Sequence, residues 1–167
     1  MNEPVEAPGL RIMRRLMLLL LSVAMIGTAV DLMLLDHHED FWQMVPLGVI
    51  ALGVVSVMLS TIKGGVGSVM LMRVTMALFV CSGFVGMGLH YIGNNEFQLE
   101  MDPSLHGWSL FVKSITSKAP PALAPPAMIQ MGLLGLLYTY KHPALGDSLQ
   151  EAGSMEDDDQ EHDDEDA

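Results

Sequence analysis

The chain carries a single cysteine, Cys81, in the middle of an apolar run. One thiol excludes an intrachain disulfide and any Cys-x-x-Cys redox or zinc motif. Aromatic residues make up only 6% of the chain, and Lys and Arg together number eight against twenty Asp and Glu. With no basic patch interleaved with aromatics, nucleic-acid binding has no support. There is no Walker loop, GxGxxG, nucleophile elbow or Ser/His/Asp spacing. Gly64-Gly65-Val66-Gly67-Ser68 opens a helix but lacks the Gly-Lys-Ser/Thr end of a phosphate loop, so it reads as a turn. An enzyme acting on a soluble substrate is the least supported class. The most informative absence is charge itself, which is missing from most of four long apolar blocks.

Those blocks define the expected architecture: an all-α integral membrane protein, a four-transmembrane-helix bundle with spans over residues 13–35, 41–62, 66–92 and 123–140. At ~1.5 Å rise per residue, about 20 residues cross a ~30 Å hydrocarbon core, so the last block is near the lower limit. Gly27-Thr28-Ala29 also resembles a signal-peptidase site behind a basic n-region. The apolar run continues past it, which favours a retained first span over a cleaved signal. Pro46 falls in the first turns of the second block, and Pro125-Pro126 suit the start of the fourth helix.

Charge placement orients the bundle. Arg11, Arg14, Arg15, Lys63 and Lys141 fall on one side, Lys113 and Lys118 on the other, which predicts a cell (inner) membrane protein with both termini cytoplasmic. Residues 1–12 are expected to be a disordered cytoplasmic N-terminus, 13–140 the membrane domain, and 141–167 a disordered acidic cytoplasmic tail. Eleven acids and no Lys or Arg lie between Asp147 and Ala167; without them nine acids face eight bases. The net charge of -12 therefore belongs to the tail and not to the body.

On this topology two polar loops share the outer face. The first carries Asp36, His37, His38, Glu39 and Asp40; His90 ends the third span, and Glu96, Glu100, Asp102 and His106 follow in the second loop. Imidazole with carboxylate suits a transition metal, with His37, His38, Glu39, His90, Glu96 and Glu100 as candidate ligands. Ser82, Gly86 and His90 recur every four residues, a small-residue stripe that suits close helix packing. The same stripe would admit a haem b with His90 axial and His37 or His38 opposite. Asp31 lies within the first span, where a carboxylate costs roughly 2.5–3.5 kcal/mol unless it meets protein or water. It is the candidate proton-carrying or ligand-orienting group, with His90 or Gln43 as expected partners.

Other features read more plainly. Arg73 is expected to snorkel to the inner surface, and Gln130 to hydrogen-bond between helices. The fifteen methionines read as adaptable apolar filler before they read as a Cu(I) site. Residues 96–101 alternate polar and apolar, which predicts an extended segment. Leu105 to Ile115 predicts a short amphipathic helix at the extracytoplasmic interface. Function is thereby narrowed to three readings. One is an outward His/carboxylate site for a transition metal or haem, serving redox, metal handling or complex assembly. The second is a ligand-free structural accessory subunit that associates with other membrane subunits or with itself. The third is a small proton-coupled transporter using Asp31.

Overall fold

The computed structural model describes residues 7–36, 40–117 and 123–146. Those residues form five helices: α1 (Pro8–Leu34), α2 (Phe41–Lys63), α3 (Val66–Met101), α4 (Gly107–Ile115) and α5 (Ala124–Thr139). There is no strand among the described residues. α1, α2 and α3 are each long and apolar enough to cross a membrane. Their outward surfaces are apolar as well; Leu16, Leu19, Leu20, Val23 and Ile26 along α1 are all more than half exposed. At about 25 cal/mol per Å² of apolar area, a surface like this is at home in lipid and costly in water.

Each helix boundary has a local cause. α1 opens at Pro8, ahead of the apolar run, because proline suits a position whose N–H has no intrahelical partner. α2 begins beyond Asp40, whose backbone N–H donates to Gln43 Oε1 at 3.3 Å, and this helps close the first turn. It ends at Gly64, whose φ of 62° takes the left-handed conformation that glycine adopts at least cost. Ser60 Oγ then donates to the Ser68 carbonyl at 3.1 Å, tying α2 to the start of α3.

α3 runs 36 residues, well past the expected span end at 92. The extended segment expected over 96–101 is therefore helix. Its alternation of polar and apolar side chains is outweighed by tertiary contact. Asn94 is buried and donates through Nδ2 to the Ser114 carbonyl at 3.1 Å, while Tyr91 packs its ring on Phe111 at 5.9 Å. These contacts hold α4 against the continuing helix. Between them, Asp102 accepts from Ser104 N (3.1 Å) and Ser104 Oγ (2.6 Å), with Lys113 Nζ at 3.8 Å. The Ser104 hydroxyl and amide, more than Lys113, hold the Asp102 carboxyl below its ordinary range. A lowered folded pKa means the turn's contribution is intact above the ordinary carboxylate pKa and lost as pH falls through the lowered value. The Ser104 amide resonance, followed by NMR, should therefore titrate with a midpoint below that of an unstructured aspartate. A midpoint at the ordinary value would remove this link from the turn.

The four longer helices close into a ring: α1 touches α2 and α5, and α3 touches α2 and α5, with no close backbone approach across either diagonal among the described residues. Along the ring axis lie Leu21, Met25, Met72, Met76, Phe79, Met128 and Met131, all nearly or fully buried. Five are methionines, so the thioethers serve the core as flexible filler. The α3–α5 seam is the tightest. A Cβ on Gly132 would meet the Met76 carbonyl oxygen at 2.7 Å, and one on Gly83 the Pro125 carbonyl oxygen at 2.6 Å. Only hydrogen fits where backbones approach this closely.

At one end of the ring two arginines hold the C-terminus of α5. Arg14, 8% exposed, donates to the carbonyls of Tyr138, Tyr140 and Lys141. Arg73 donates to the Thr139 carbonyl at 2.9 Å and approaches Thr139 Oγ1 at 3.4 Å. Arg73 thus caps a neighbouring helix where snorkelling was expected, since the last carbonyls of a helix lack intrahelical donors and carry partial negative charge. Gln130 is exposed and makes no interhelical hydrogen bond among the described residues.

Candidate functional site

The ring is not filled at the end opposite the two arginines. A cavity of about 200 Å³ opens where all four long helices converge. Leu32 of α1 and Trp42, Gln43 and Pro46 of α2 form one side. Ser82, Gly86, Leu89, His90, Gly93 and Asn94 of α3 form the other, and Ala124, Pro125 and Met128 of α5 complete the wall. Among the described residues the wall is apolar apart from Gln43, Ser82, His90, Asn94 and backbone, and none of its residues is Asp, Glu, Lys or Arg. One layer down the axis is sealed: Gly53 lets Phe79 and the Met25 sulfur come close enough that a Cβ there would meet them at 2.7 and 2.8 Å.

Its polar groups differ in what they are already doing. Ser82 Oγ lies 3.9 Å from the Met128 sulfur, a weak acceptor. Gln43 Oε1 accepts from the Asp40 amide. Asn94 is 7% exposed and donates through Nδ2, while its Oδ1 has no partner. Leaving a buried acceptor unmet costs on the order of 1–3 kcal/mol. Pro46 has no N–H to offer the carbonyl of Trp42, four residues earlier, so that carbonyl lacks the usual i+4 donor.

The residues singled out from sequence are distributed unevenly around this cavity. His90 lines it, half-buried. Glu96 and Glu100 are exposed on the continuation of α3, with Glu96 six residues, ~9 Å of helix rise, beyond His90. Ligands to one ion lie within ~2.0–2.3 Å of it, so that separation along one rigid helix does not gather them. Among the described residues no group of three or more His, Cys, Asp or Glu side chains is placed to hold a metal ion. His37, His38 and Glu39 lie outside the described residues. Asp31 is exposed on α1, next to the cavity-lining Leu32, and its carboxylate makes no hydrogen bond or ion pair among the described residues.

The Ser82/Gly86/His90 stripe, open from sequence to helix packing or a macrocycle, is largely taken by α5. A Cβ on Gly86 would already touch Pro125 at 3.1 Å. An apolar cavity of about 150 Å³ holds a benzene-sized guest, so about 200 Å³ admits a single ring. Sequence reasoning missed Asn94 and Trp42 as wall residues. Asn94 lay beyond the expected span, and the signal that would have found it was the 3.6-residue periodicity of α3 carried one turn further.

No family model, no curated protein and no solved structure matches this chain.

Proposed function

We propose that the chain is a four-span membrane protein whose role is to bind a small molecule in the axial pocket at the outer mouth of its helix ring. The observation that carries this reading is the pocket itself: apolar walls with a few convergent polar groups, sealed below, form the usual profile of a ligand site. α5 supplies the fourth span. Its 16 residues rise only ~24 Å, and Arg14 and Arg73 offset that shortness by satisfying its inner carbonyls. The positive-inside count puts both termini in the cytoplasm of a cell (inner) membrane protein and the pocket on the outer face. α4, with Trp108 exposed and stacked on Phe111 at 5.1 Å, then lies at the outer interface, where such rings anchor.

Two rivals remain distinct outcomes. A transition-metal site would need His37 or His38 to join His90, and a ligand-free accessory subunit would keep the pocket empty. Native mass spectrometry of the detergent-purified protein, beside an optical spectrum and elemental analysis, separates the three. The expected result is a small organic adduct, lost when Ser82→Leu fills the wall, with no Soret band and no stoichiometric metal. Metal that disappears in His90→Ala would replace this reading with the metal site. A bare protein that purifies only with other membrane subunits would replace it with the accessory role.

A further inference from the structure

Gln130 lies near the middle of α5, exposed on the outside of the ring, and its amide makes no hydrogen bond among the described residues. α5 runs Ala124–Thr139, so Gln130 stands ~9 Å of helix rise from one end and ~14 Å from the other. The whole helix is shorter than a ~30 Å hydrocarbon core. Headgroups and bulk water are therefore out of reach of this amide. That step rests on α5 being the fourth span; the binding role of the pocket does not enter. In hydrocarbon a polar group without a partner is strongly disfavoured.

The residues on the same side of α5 form a seam. Pro126, Gln130, Leu133, Leu137 and Tyr140 follow at intervals of four, three, four and three, the a/d spacing of a left-handed helix pair. Leu133, Leu137 and Tyr140 are all more than half exposed, while Met128, Met131, Gly132 and Gly135 on the other side of the helix are buried. Lipid can cover the leucines. It has nothing to offer Gln130 at that depth.

We propose that two copies of the chain pair side by side in the membrane through this seam of α5, their Gln130 side chains hydrogen-bonded to each other across a two-fold axis. A glutamine amide carries both an acceptor oxygen and an NH2 donor, so it is its own complement. Two copies inserted with the same orientation present parallel α5 helices, and a two-fold axis brings equivalent residues face to face. An unrelated membrane helix would need a polar group of its own at the same depth. A second copy supplies one by symmetry. One polar residue at an a position of an otherwise apolar seam also fixes the register of the pair. The two-fold contact is closed, so association stops at two.

The test uses the full-length chain in lipid vesicles, labelled at its N-terminus with a donor or an acceptor dye. Energy transfer should fall along a monomer–dimer curve as lipid is added. Gln130→Leu should move the midpoint about tenfold toward higher protein-to-lipid ratio, the scale of interhelical hydrogen bonds in a bilayer. Gln130→Asn keeps the amide and should recover most of that shift. The site is on the surface, so both variants should unfold at the parent's midpoint. In a Cys81→Ala background, Leu133→Cys and Leu137→Cys should give disulfide-linked dimers when native membranes are oxidised. Met58→Cys should not, since Met58 is exposed on α2, diagonally across the ring from α5.

No energy transfer at any ratio would mean that lipid alone covers the seam, and it overturns the pair. So does an unchanged midpoint in Gln130→Leu, cross-linking through α2 in preference to α5, or a cross-linked product that contains another protein. All four leave the fourth span and the pocket standing. Ready reaction of Gln130→Cys with a membrane-impermeant maleimide would put α5 outside the bilayer. That result overturns the fourth span, and the pair with it.

Discussion

Gly132→Leu should destabilise the bundle by about 3 kcal/mol or more, read as a lowered midpoint in SDS-titrated unfolding followed by circular dichroism. Overpacking a close-fitted core costs roughly 1–3 kcal/mol when side chains can shift. Here the first obstacle is backbone: a Cβ on Gly132 would stand 2.7 Å from the Met76 carbonyl oxygen and 2.9 Å from the Val80 amide nitrogen. α3 and α5 must move apart to admit any side chain. That separation would also withdraw Pro125 and Met128 from the wall of the pocket, so guest binding should be lost along with stability. Gly88, on α3, the other helix of the seam, has nothing within 4 Å of its Cβ position. Gly88→Leu is therefore the matched control, with an expected change within ~0.5 kcal/mol of neutral or slightly stabilising. Similar midpoints for the two variants would mean that the α3–α5 seam is not as close as described.

Removing Arg14 should be nearly as damaging, by another route. Arg14→Leu withdraws the donors from three terminal carbonyls of α5, on Tyr138, Tyr140 and Lys141. It also removes a guanidinium 5.9 Å from the centre of the Tyr138 ring. Hydrogen bonds from a charged donor contribute about 1.5–3 kcal/mol, and a cation at a helix C-terminus up to ~2 kcal/mol when partly buried. The terms overlap, so a net loss on the order of 3 kcal/mol is expected. Arg14→Lys should recover only part of it, because an ammonium is a compact charge without the planar fork that spans several carbonyls. The loss should localise: in a Cys81→Ala background, a cysteine introduced at Thr139, itself fully buried, should become reactive to a maleimide in Arg14→Leu and stay protected without it. Arg73 serves the same helix end, so the double variant should cost less than the sum of the singles. Unchanged midpoint and unchanged labelling in Arg14→Leu would show that lipid headgroups or water satisfy those carbonyls equally well.

These two sites also show why some of the molecule was legible in the chain and some was not. Arg14 and Arg73 were read as membrane-surface cations, because a count along the sequence treats every cation on one side alike. Arg11, Arg15, Lys63 and Lys141 are indeed exposed. Arg14 is buried because α5 ends beside α1, a proximity between residues more than a hundred positions apart. The small-residue stripe on α3 was visible, but not what fills it. Gly83 and Gly86 face Pro125 because α5 enters there, which leaves His90, one turn further on, lining the cavity.

What the sequence determined by itself was whatever depends on one segment at a time. Long uncharged runs made the helices and their apolar exteriors, since a segment's transfer into lipid is a sum over its own residues. Glycine and proline set their ends through local backbone geometry. The tertiary structure alone decided everything that needs two segments to meet: the ring order of α1, α2, α3 and α5, the clamp on α5, and the continuation of α3 through Met101. It also placed a buried acceptor on Asn94 beside an axial cavity. The physical reason is that hydrogen bonding and close packing are short-ranged in space and blind to separation along the chain.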